Sequence, residues 1–135
     1  MELDYADGFF VIAPYGGTEG AGYGSGRGRV TGDRVAGHVR WSNHPRRRED
    51  GVLIPDAHGV IETEDGARIV FHLAGYSTPL EGSKATRVIV SPATFATDDE
   101  RYRWLNDVVA VGEGTIDFET LRLRMSYFAV LPEVT

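Results

Sequence analysis

Apolar and polar residues alternate with a period of two along most of the chain, and this spacing is typical of β-strands that have one face against a core. No alternation of strands with long helices is visible, so the strands are expected to pair antiparallel with their neighbours in sequence. The first predicted strand is wholly apolar, which predicts burial on both of its faces. The predicted strands span residues 8–14, 26–31, 34–41, 52–63, 67–76, 85–95, 106–117 and 121–131.

The turns between these strands set the expected pairing. A two-residue turn at residues 32–33 would pair Thr31 with Arg34. The last hairpin is expected to pair Ile116 with Leu121, which sets small residues of one strand beside large residues of the other.

The middle hairpin decides which way the candidate chemical residues point. A two-residue turn at residues 65–66 places Asp56 and His58 on the apolar face, with His58 opposite Leu73. A three-residue turn changes the parity of the pairing and places His58 opposite His72 instead. The first register is preferred because it keeps the apolar residues of both strands on one side.

Two segments depart from the alternation. Residues 15–26 are dominated by glycine but match no phosphate-binding pattern, so a mobile loop beside an entrance is expected. Thr97 suits the N-cap of one short helix, with Glu100 at the capping-box position. Together the elements predict an all-β single domain over residues 1–135, an antiparallel up-and-down barrel of about eight strands with one short helix. An open sandwich is the alternative.

The composition narrows the classes of partner. The chain has 20 acidic and 14 basic residues and a net charge of -6. This charge argues against nucleic acid, because that affinity comes mainly from neutralising phosphates. The absence of cysteine excludes disulfides and suits a cytoplasmic protein. No secretory signal, spanning helix or membrane partner is expected, because no long apolar run is present.

Three segments carry a resemblance to a known family: RVTGDRVAGHVRW from residue 29, DGVLIPDAHGVIETEDGARIVFHLAGY from residue 50, and YRWLNDVVAVGEG from residue 102. In this order they resemble the family known as domain of unknown function 3237. The resemblance implies a small calycin-like β-barrel, soluble and often oligomeric, with no generally established activity. It also matches Asp56 to an aspartate of the family pattern. Ala96 departs from that pattern, since the family often has glutamate there.

Asp56 and His58 are the candidate catalytic residues. They lie two positions apart on a strand, so both side chains project from the same face. In the preferred register that face is apolar, and a carboxylate with an imidazole could there exchange protons with a substrate. The alternative is a hydrogen-bonded cluster with a purely structural role.

Six further residues are candidates for ligand binding. The aromatic ones would line the cavity or its mouth and suit a flat, mainly apolar ligand, although aromatics at strand spacing also form ordinary core. His44, in the loop before the fourth strand, could receive a carboxylate at the rim together with Arg46, Arg47 and Arg48. The candidates are Trp41, His44, Phe71, Tyr102, Trp104 and Tyr127.

Metal binding would need a third ligand beside Asp56 and His58, which His44, His72 or Glu62 could supply. No recognised ligand spacing accompanies these residues, so no metal and no cofactor is predicted.

Two functional hypotheses follow. One is a cofactor-independent isomerase, cyclase or lyase that acts on a small hydrophobic carbonyl compound through an Asp-His acid/base pair. The other is a lipocalin-like carrier or binding module that holds a similar apolar ligand unchanged. Pairing through a sheet edge or an outer face would allow a homodimer, although no stripe of exposed apolar residues requires one.

Overall fold

The computed structural model describes residues 1–130, which contain twelve β-strands and one 3-10 helix, Glu100–Asp107. The predicted end of the last strand, at Leu131, lies outside these residues. The strands are β1 (Glu2–Asp4), β2 (Phe9–Ile12), β3 (Gly20–Val30), β4 (Gly37–Asn43), β5 (Arg46–Arg47), β6 (Leu53–Ile54), β7 (Ala57–Thr63), β8 (Arg68–Leu73), β9 (Tyr76–Pro79), β10 (Thr86–Ala96), β11 (Val109–Asp117) and β12 (Arg122–Val130).

Eight of the strands close into an antiparallel barrel, in the order β3, β4, β7, β8, β10, β11, β12 and β1. The short strand β1 closes the ring because it pairs with β12 on one side and with β3 on the other. The predicted all-β barrel of about eight strands is therefore confirmed. The sequence pattern did not predict β1 or β5, because strands of two or three residues are too short to display a period.

The wall of the barrel is interrupted at one level. Breaks of two residues, at 44–45, 55–56 and 74–75, separate β4 from β5, β6 from β7 and β8 from β9. On the far side of these breaks, β5, β6 and β9 continue the wall in place of β4, β7 and β8. There β5 pairs with β3, β6 pairs with both β5 and β9, and β9 pairs with β10. We call this level the interruption, because regular backbone pairing stops there in three adjacent strands.

The core lies inside the barrel and is built by the inward-facing residues of each strand. Val39, Ile69 and Phe71 are fully buried, and their outward neighbours are polar or exposed. The interior is therefore filled mainly by side chains, as expected for a barrel of about eight strands.

The predicted registers of the outer hairpins are displaced by two residues. In the first hairpin Val30 pairs with Gly37, and in the last Ile116 pairs with Leu123. Both loops are longer than predicted. Because a shift of two residues preserves the facing of every side chain, the predicted inward and outward sets of these strands still hold.

The preferred register of the middle hairpin is wrong, and the alternative is correct. Glu64, Asp65 and Gly66 form a three-residue turn, in which the Thr63 amide bonds the Ala67 carbonyl. Gly66 adopts a φ of +93°, a left-handed conformation that suits glycine in a three-residue hairpin turn. His58 consequently pairs with His72.

From Gly20 onward the glycine-rich segment belongs to strand β3 rather than to the expected mobile loop, and residues 15–19 lie outside any strand. Its alternate glycines allow close backbone approach: a Cβ at Gly26 would lie 1.8 Å from the Asp4 carbonyl oxygen, and one at Gly24 would lie 2.5 Å from the Tyr5 ring. Strand β2 is also not buried on both faces. Among the strands of residues 1–130 it pairs with β3 alone, and Phe10 and Ile12 are exposed.

The predicted helix is confirmed as a short 3-10 helix that begins two residues later than expected. Its N-cap is Asp99, whose side chain accepts a hydrogen bond from the Arg101 amide. Thr97 instead donates its hydroxyl hydrogen to the Arg68 carbonyl oxygen at 2.8 Å. Tyr102 and Leu105 are the buried residues of the helix.

The outer wall carries apolar side chains that the sequence pattern did not predict as a stripe. Val109 pairs with Val130, Val111 pairs with Phe128, and all four side chains are exposed. The predicted homodimer stays a prediction. Within residues 1–130 no helix is both long and apolar enough to cross a membrane.

Candidate functional site

The barrel encloses two cavities that share Leu73 and Tyr127 in their linings. The smaller has a volume of about 50 Å³ and lies towards Tyr5 and Trp41. The larger has a volume of about 180 Å³ and lies against the 3-10 helix at Leu105. Both linings are mainly apolar, so the interior suits a small apolar molecule.

Two polar atoms of the interior lack a protein partner. The indole Nε1 of Trp41 and the hydroxyl of Tyr127 are buried without a hydrogen bond from any described residue. Burial raises the pKa of Tyr127, and the nearby Ser91 hydroxyl offsets only part of that effect. Ser91 itself directs its hydroxyl hydrogen to the Pro92 carbonyl oxygen at 3.3 Å. A buried donor without an acceptor costs free energy that a bound polar group could offset.

A polar link connects the smaller cavity with the outer wall at the interruption. Asn43 donates from Nδ2 to the Tyr5 hydroxyl at 3.0 Å, and its Oδ1 accepts from the Asp56 amide at 3.0 Å. Asn43 and Tyr5 are both buried. Burial is the main cause that raises the pKa of Tyr5, and the bond from Asn43 works in the opposite direction.

Asp56 and His58 lie on the outer wall, so the prediction that they face the apolar interior is wrong. Their side chains are 56% and 58% exposed. The three-residue turn reverses the facing expected of this strand and brings in His72, whose ring stacks on that of His58 with centroids 4.5 Å apart. The catalytic roles of Asp56 and His58 stay predictions.

The carboxylate of Asp56 contacts both imidazoles. Its Oδ1 lies 2.9 Å from His72 Nε2 and 3.2 Å from His58 Nε2. The hydrogen bond with His72 is the largest cause that lowers the pKa of Asp56, so this side chain is a carboxylate at neutral pH. We call Asp56, His58 and His72 the outer cluster.

Three of the six predicted ligand-binding residues line the cavities. Trp41 lines the smaller cavity, Trp104 the larger and Tyr127 both. The Arg34 guanidinium covers the Trp104 ring at 3.6 Å from its centroid. Phe71 is fully buried in the core and lines neither cavity.

His44 and Tyr102 also lie away from both cavities. The exposed His44 ring stacks on Tyr23, with centroids 5.5 Å apart. Tyr102 donates its hydroxyl hydrogen to the Asp65 carboxylate at the tip of the middle hairpin, and this contact raises the pKa of Tyr102. Binding roles for these two residues would require a ligand outside the interior.

Three residues of these sites were not predicted. A fourth, His72, was named as a possible third metal ligand and as the partner of His58 in the alternative register, which is the correct one. Tyr5, Asn43 and Ser91 gave no signal, because their positions depend on contacts between strands distant in sequence.

The family model described as protein of unknown function (DUF3237) matches residues 23–130. The matched range contains the outer cluster and both unpaired polar atoms of the interior. No curated protein matches the chain.

Solved structures share the fold at low sequence identity. A β-barrel-like protein from Acinetobacter baumannii aligns with a TM-score of 0.81 at 17% identity, covering 95% of this chain and 89% of that one. A conserved protein of unknown function from Rhodopseudomonas palustris aligns with a TM-score of 0.81 at 19% identity, covering 96% of this chain and 93% of that one. An enzyme from Penicillium herquei aligns with a TM-score of 0.63 at 22% identity, covering 91% of this chain and 84% of that one.

Proposed function

The chain belongs to the family of proteins of unknown function DUF3237, and for this member we propose that the barrel interior binds a small, mainly apolar molecule that carries one hydrogen-bond acceptor, such as a ketone. The unpaired Trp41 Nε1 carries the proposal. An indole N–H can only donate, so the group that satisfies it must be an acceptor.

The linings of the cavities support the same type of ligand. Around the polar atoms of Trp41, Tyr127 and Ser91 the surface is apolar, which favours a molecule with a single polar end. Tyr127 borders both cavities, so an acceptor bound near its hydroxyl leaves the apolar body of the ligand free to occupy the larger cavity. A buried polar group placed in an apolar site provides orientation and specificity.

The experiment compares two probes that differ in one polar atom. Acetophenone offers a carbonyl acceptor, and ethylbenzene has a similar size without one. We expect acetophenone to shift the indole N–H signal of Trp41 in a two-dimensional ¹H–¹⁵N NMR titration and ethylbenzene to bind more weakly. Tyr127→Phe, which removes only the hydroxyl, should weaken acetophenone binding about threefold to tenfold and leave ethylbenzene binding unchanged. Signals that shift only on the outer wall would contradict interior binding.

A second candidate is acid/base catalysis on a hydrophobic carbonyl compound, as an isomerase, cyclase or lyase. It is supported by the contact of Asp56 with two imidazoles, and one protein of the same fold is called an enzyme. The substrate would have to reach the outer wall, because Asp56 and His58 do not face the cavities. Asp56→Asn should then abolish turnover with little loss of substrate affinity, and unchanged turnover would remove Asp56 from the mechanism.

A further inference from the structure

We propose that the outer cluster binds one first-row divalent transition-metal ion, with Zn²⁺ as its representative, through Asp56, His58 and His72. These three residues each offer one ligand atom, and the three atoms lie within 4.8 Å of one another. The site lies on the opposite side of the wall from the proposed ligand cavity, so it is a separate property of the molecule.

The register of β7 and β8 brings the two imidazoles together. His58 and His72 are direct partners across the ladder, and both project outwards. Directly opposed side chains in an antiparallel pair have Cβ atoms about 4.5–5.5 Å apart. A separation of this size lets two imidazoles turn their Nε2 atoms towards one point.

Asp56 supplies the third ligand because of the interruption. It lies just before β7, where its amide bonds the Asn43 side chain at 3.0 Å and its carbonyl accepts from the His44 amide at 3.0 Å. These two bonds fix the backbone of Asp56 from the side of β4. The carboxylate is thereby held over the two rings rather than left on a free loop.

The distances fit a metal ion of small radius. Oδ1 of Asp56 lies 2.9 Å from one Nε2 and 3.2 Å from the other. Ligand atoms around a tetrahedral Zn²⁺ lie about 3.3 Å apart when the metal bonds are about 2.0–2.1 Å long. The ion would take the place of the hydrogen now shared between the carboxylate and His72, and the two rings, stacked at an interplanar angle of 29°, would turn so that both Nε2 atoms point at it.

The ligand types select the class of metal. Imidazole suits Zn, Cu, Ni and Fe, whereas Mg²⁺ and Ca²⁺ prefer sites made only of oxygen ligands. Three protein ligands leave at least one coordination position for water, as in open zinc sites. The side chains are 41% to 58% exposed, so an ion can enter directly from solvent.

The surroundings predict moderate affinity. Metal-binding imidazoles are usually oriented by a second hydrogen bond from the other ring nitrogen. Within residues 1–130 the hydrogen bond of these two side chains is that of His72 with Asp56, and His58 contacts the same carboxylate oxygen at 3.2 Å. We therefore expect binding in the micromolar range rather than that of a structural zinc site.

The test is isothermal titration calorimetry of the full, tag-free chain with ZnCl₂ after treatment with a chelator. We expect one saturable site per chain. Asp56→Asn, His58→Gln and His72→Gln should each weaken binding by at least about tenfold, a loss at the lower end of that seen when even an outer hydrogen-bond partner of a metal ligand is removed. His44→Gln removes a histidine outside the outer cluster and should leave the affinity unchanged.

Two further measurements make the result specific. Co²⁺ bound at the same site should give intense visible absorption of low-symmetry coordination, which disappears in His72→Gln, and Mg²⁺ should not compete. Circular dichroism checks that each variant folds, which is expected because all three side chains are exposed. The absence of saturable binding, or affinity that survives the loss of both His58 and His72, would overturn the proposal.

Discussion

The Asn43 side chain joins the inside of the barrel to its outer wall, because its Oδ1 accepts a hydrogen bond from the Asp56 amide at 3.0 Å. Its Nδ2 donates to Tyr5, which lines the smaller cavity. The buried side-chain amide of Asn43 thus contacts both candidate sites. It donates to the Tyr5 hydroxyl inside the barrel, and it accepts from the Asp56 backbone N–H, which has no regular strand partner at the interruption.

Asn43→Ala should therefore destabilise the barrel and weaken Zn²⁺ binding at the same time. Losing both bonds leaves buried polar groups unsatisfied, at a cost on the order of 1–3 kcal/mol in the free energy of unfolding. Tyr5→Phe removes only the inner end of the link and should leave the Zn²⁺ affinity as in the wild type. Urea unfolding and calorimetry measure the two effects. Equal Zn²⁺ affinity in Asn43→Ala and wild type would show that Asn43 does not position Asp56.

Tyr127→Phe should raise the stability of the ligand-free protein even though it weakens binding of acetophenone. The hydroxyl is buried without a protein partner, so its removal eliminates a desolvation cost. We expect the free energy of unfolding to rise by on the order of 1 kcal/mol. Tyr5→Phe is the matched control, because the buried Tyr5 hydroxyl accepts a hydrogen bond from Asn43 and its removal should not stabilise. A Tyr127→Phe protein less stable than wild type would mean that the hydroxyl is satisfied in solution.

Sequence patterns predicted the class of fold because the alternation of apolar and polar residues alone shows which side chains of a strand face the core. A register error of two residues in the first and last hairpins left every facing intact. An error of one residue in the middle hairpin reversed the facing of Asp56 and His58. The outcome depended on one turn, where Gly66 and the bond between Thr63 and Ala67 favour three residues over two.

The candidate sites were less predictable because they rest on contacts between distant strands. Trp41 and Tyr127 were expected at a cavity, and the structure places both there. Whether their polar atoms find partners depends on residues that distant parts of the chain bring to the interior, and no local pattern encodes that. The prediction of a loop at the glycine-rich segment failed for a similar reason. Gly26 has no side chain because the Asp4 carbonyl oxygen lies where a Cβ would be, and the neighbours of Gly26 in sequence do not reveal that contact.

Gly112→Ala should displace the Tyr127 ring. A Cβ at Gly112 would lie 2.4 Å from the Tyr127 ring, which packs across the strand pair against this glycine. Overpacking of this kind typically costs about 1–3 kcal/mol. Gly17→Ala is the control, because a Cβ there meets no atom within 4 Å. Thermal unfolding compares the two variants, and equal melting temperatures would show that the ring gives way freely.

Stability at low pH should depend on Asp99. Hydrogen bonds from the Arg101 side chain hold the pKa of Asp99 at about 2, below its ordinary value of 3.8. A depressed carboxyl pKa contributes stability above the unfolded value and loses it as the pH falls from about 3.8 towards 2. Wild type should therefore lose more melting temperature over this window than Asp99→Asn. Glu119→Gln is a control for removal of an exposed acid, and parallel curves for all three proteins would exclude the effect.

Leu105→Ala should enlarge the larger cavity and change the size of ligand that it accepts. Leu105 lies on the buried face of the 3-10 helix and lines this cavity. Its truncation removes apolar packing, so we expect a loss of about 2–5 kcal/mol in the free energy of unfolding. The added space lies where the apolar body of the ligand would sit. The affinity for methyl naphthyl ketone, divided by that for acetophenone, should therefore be higher in Leu105→Ala than in wild type. Val109→Ala is the control, because Val109 is exposed on the next strand. It should lower the free energy of unfolding much less than Leu105→Ala does, and it should leave the ratio of the two affinities unchanged. An unchanged ratio of the two affinities in Leu105→Ala would place the apolar body of the ligand outside the larger cavity.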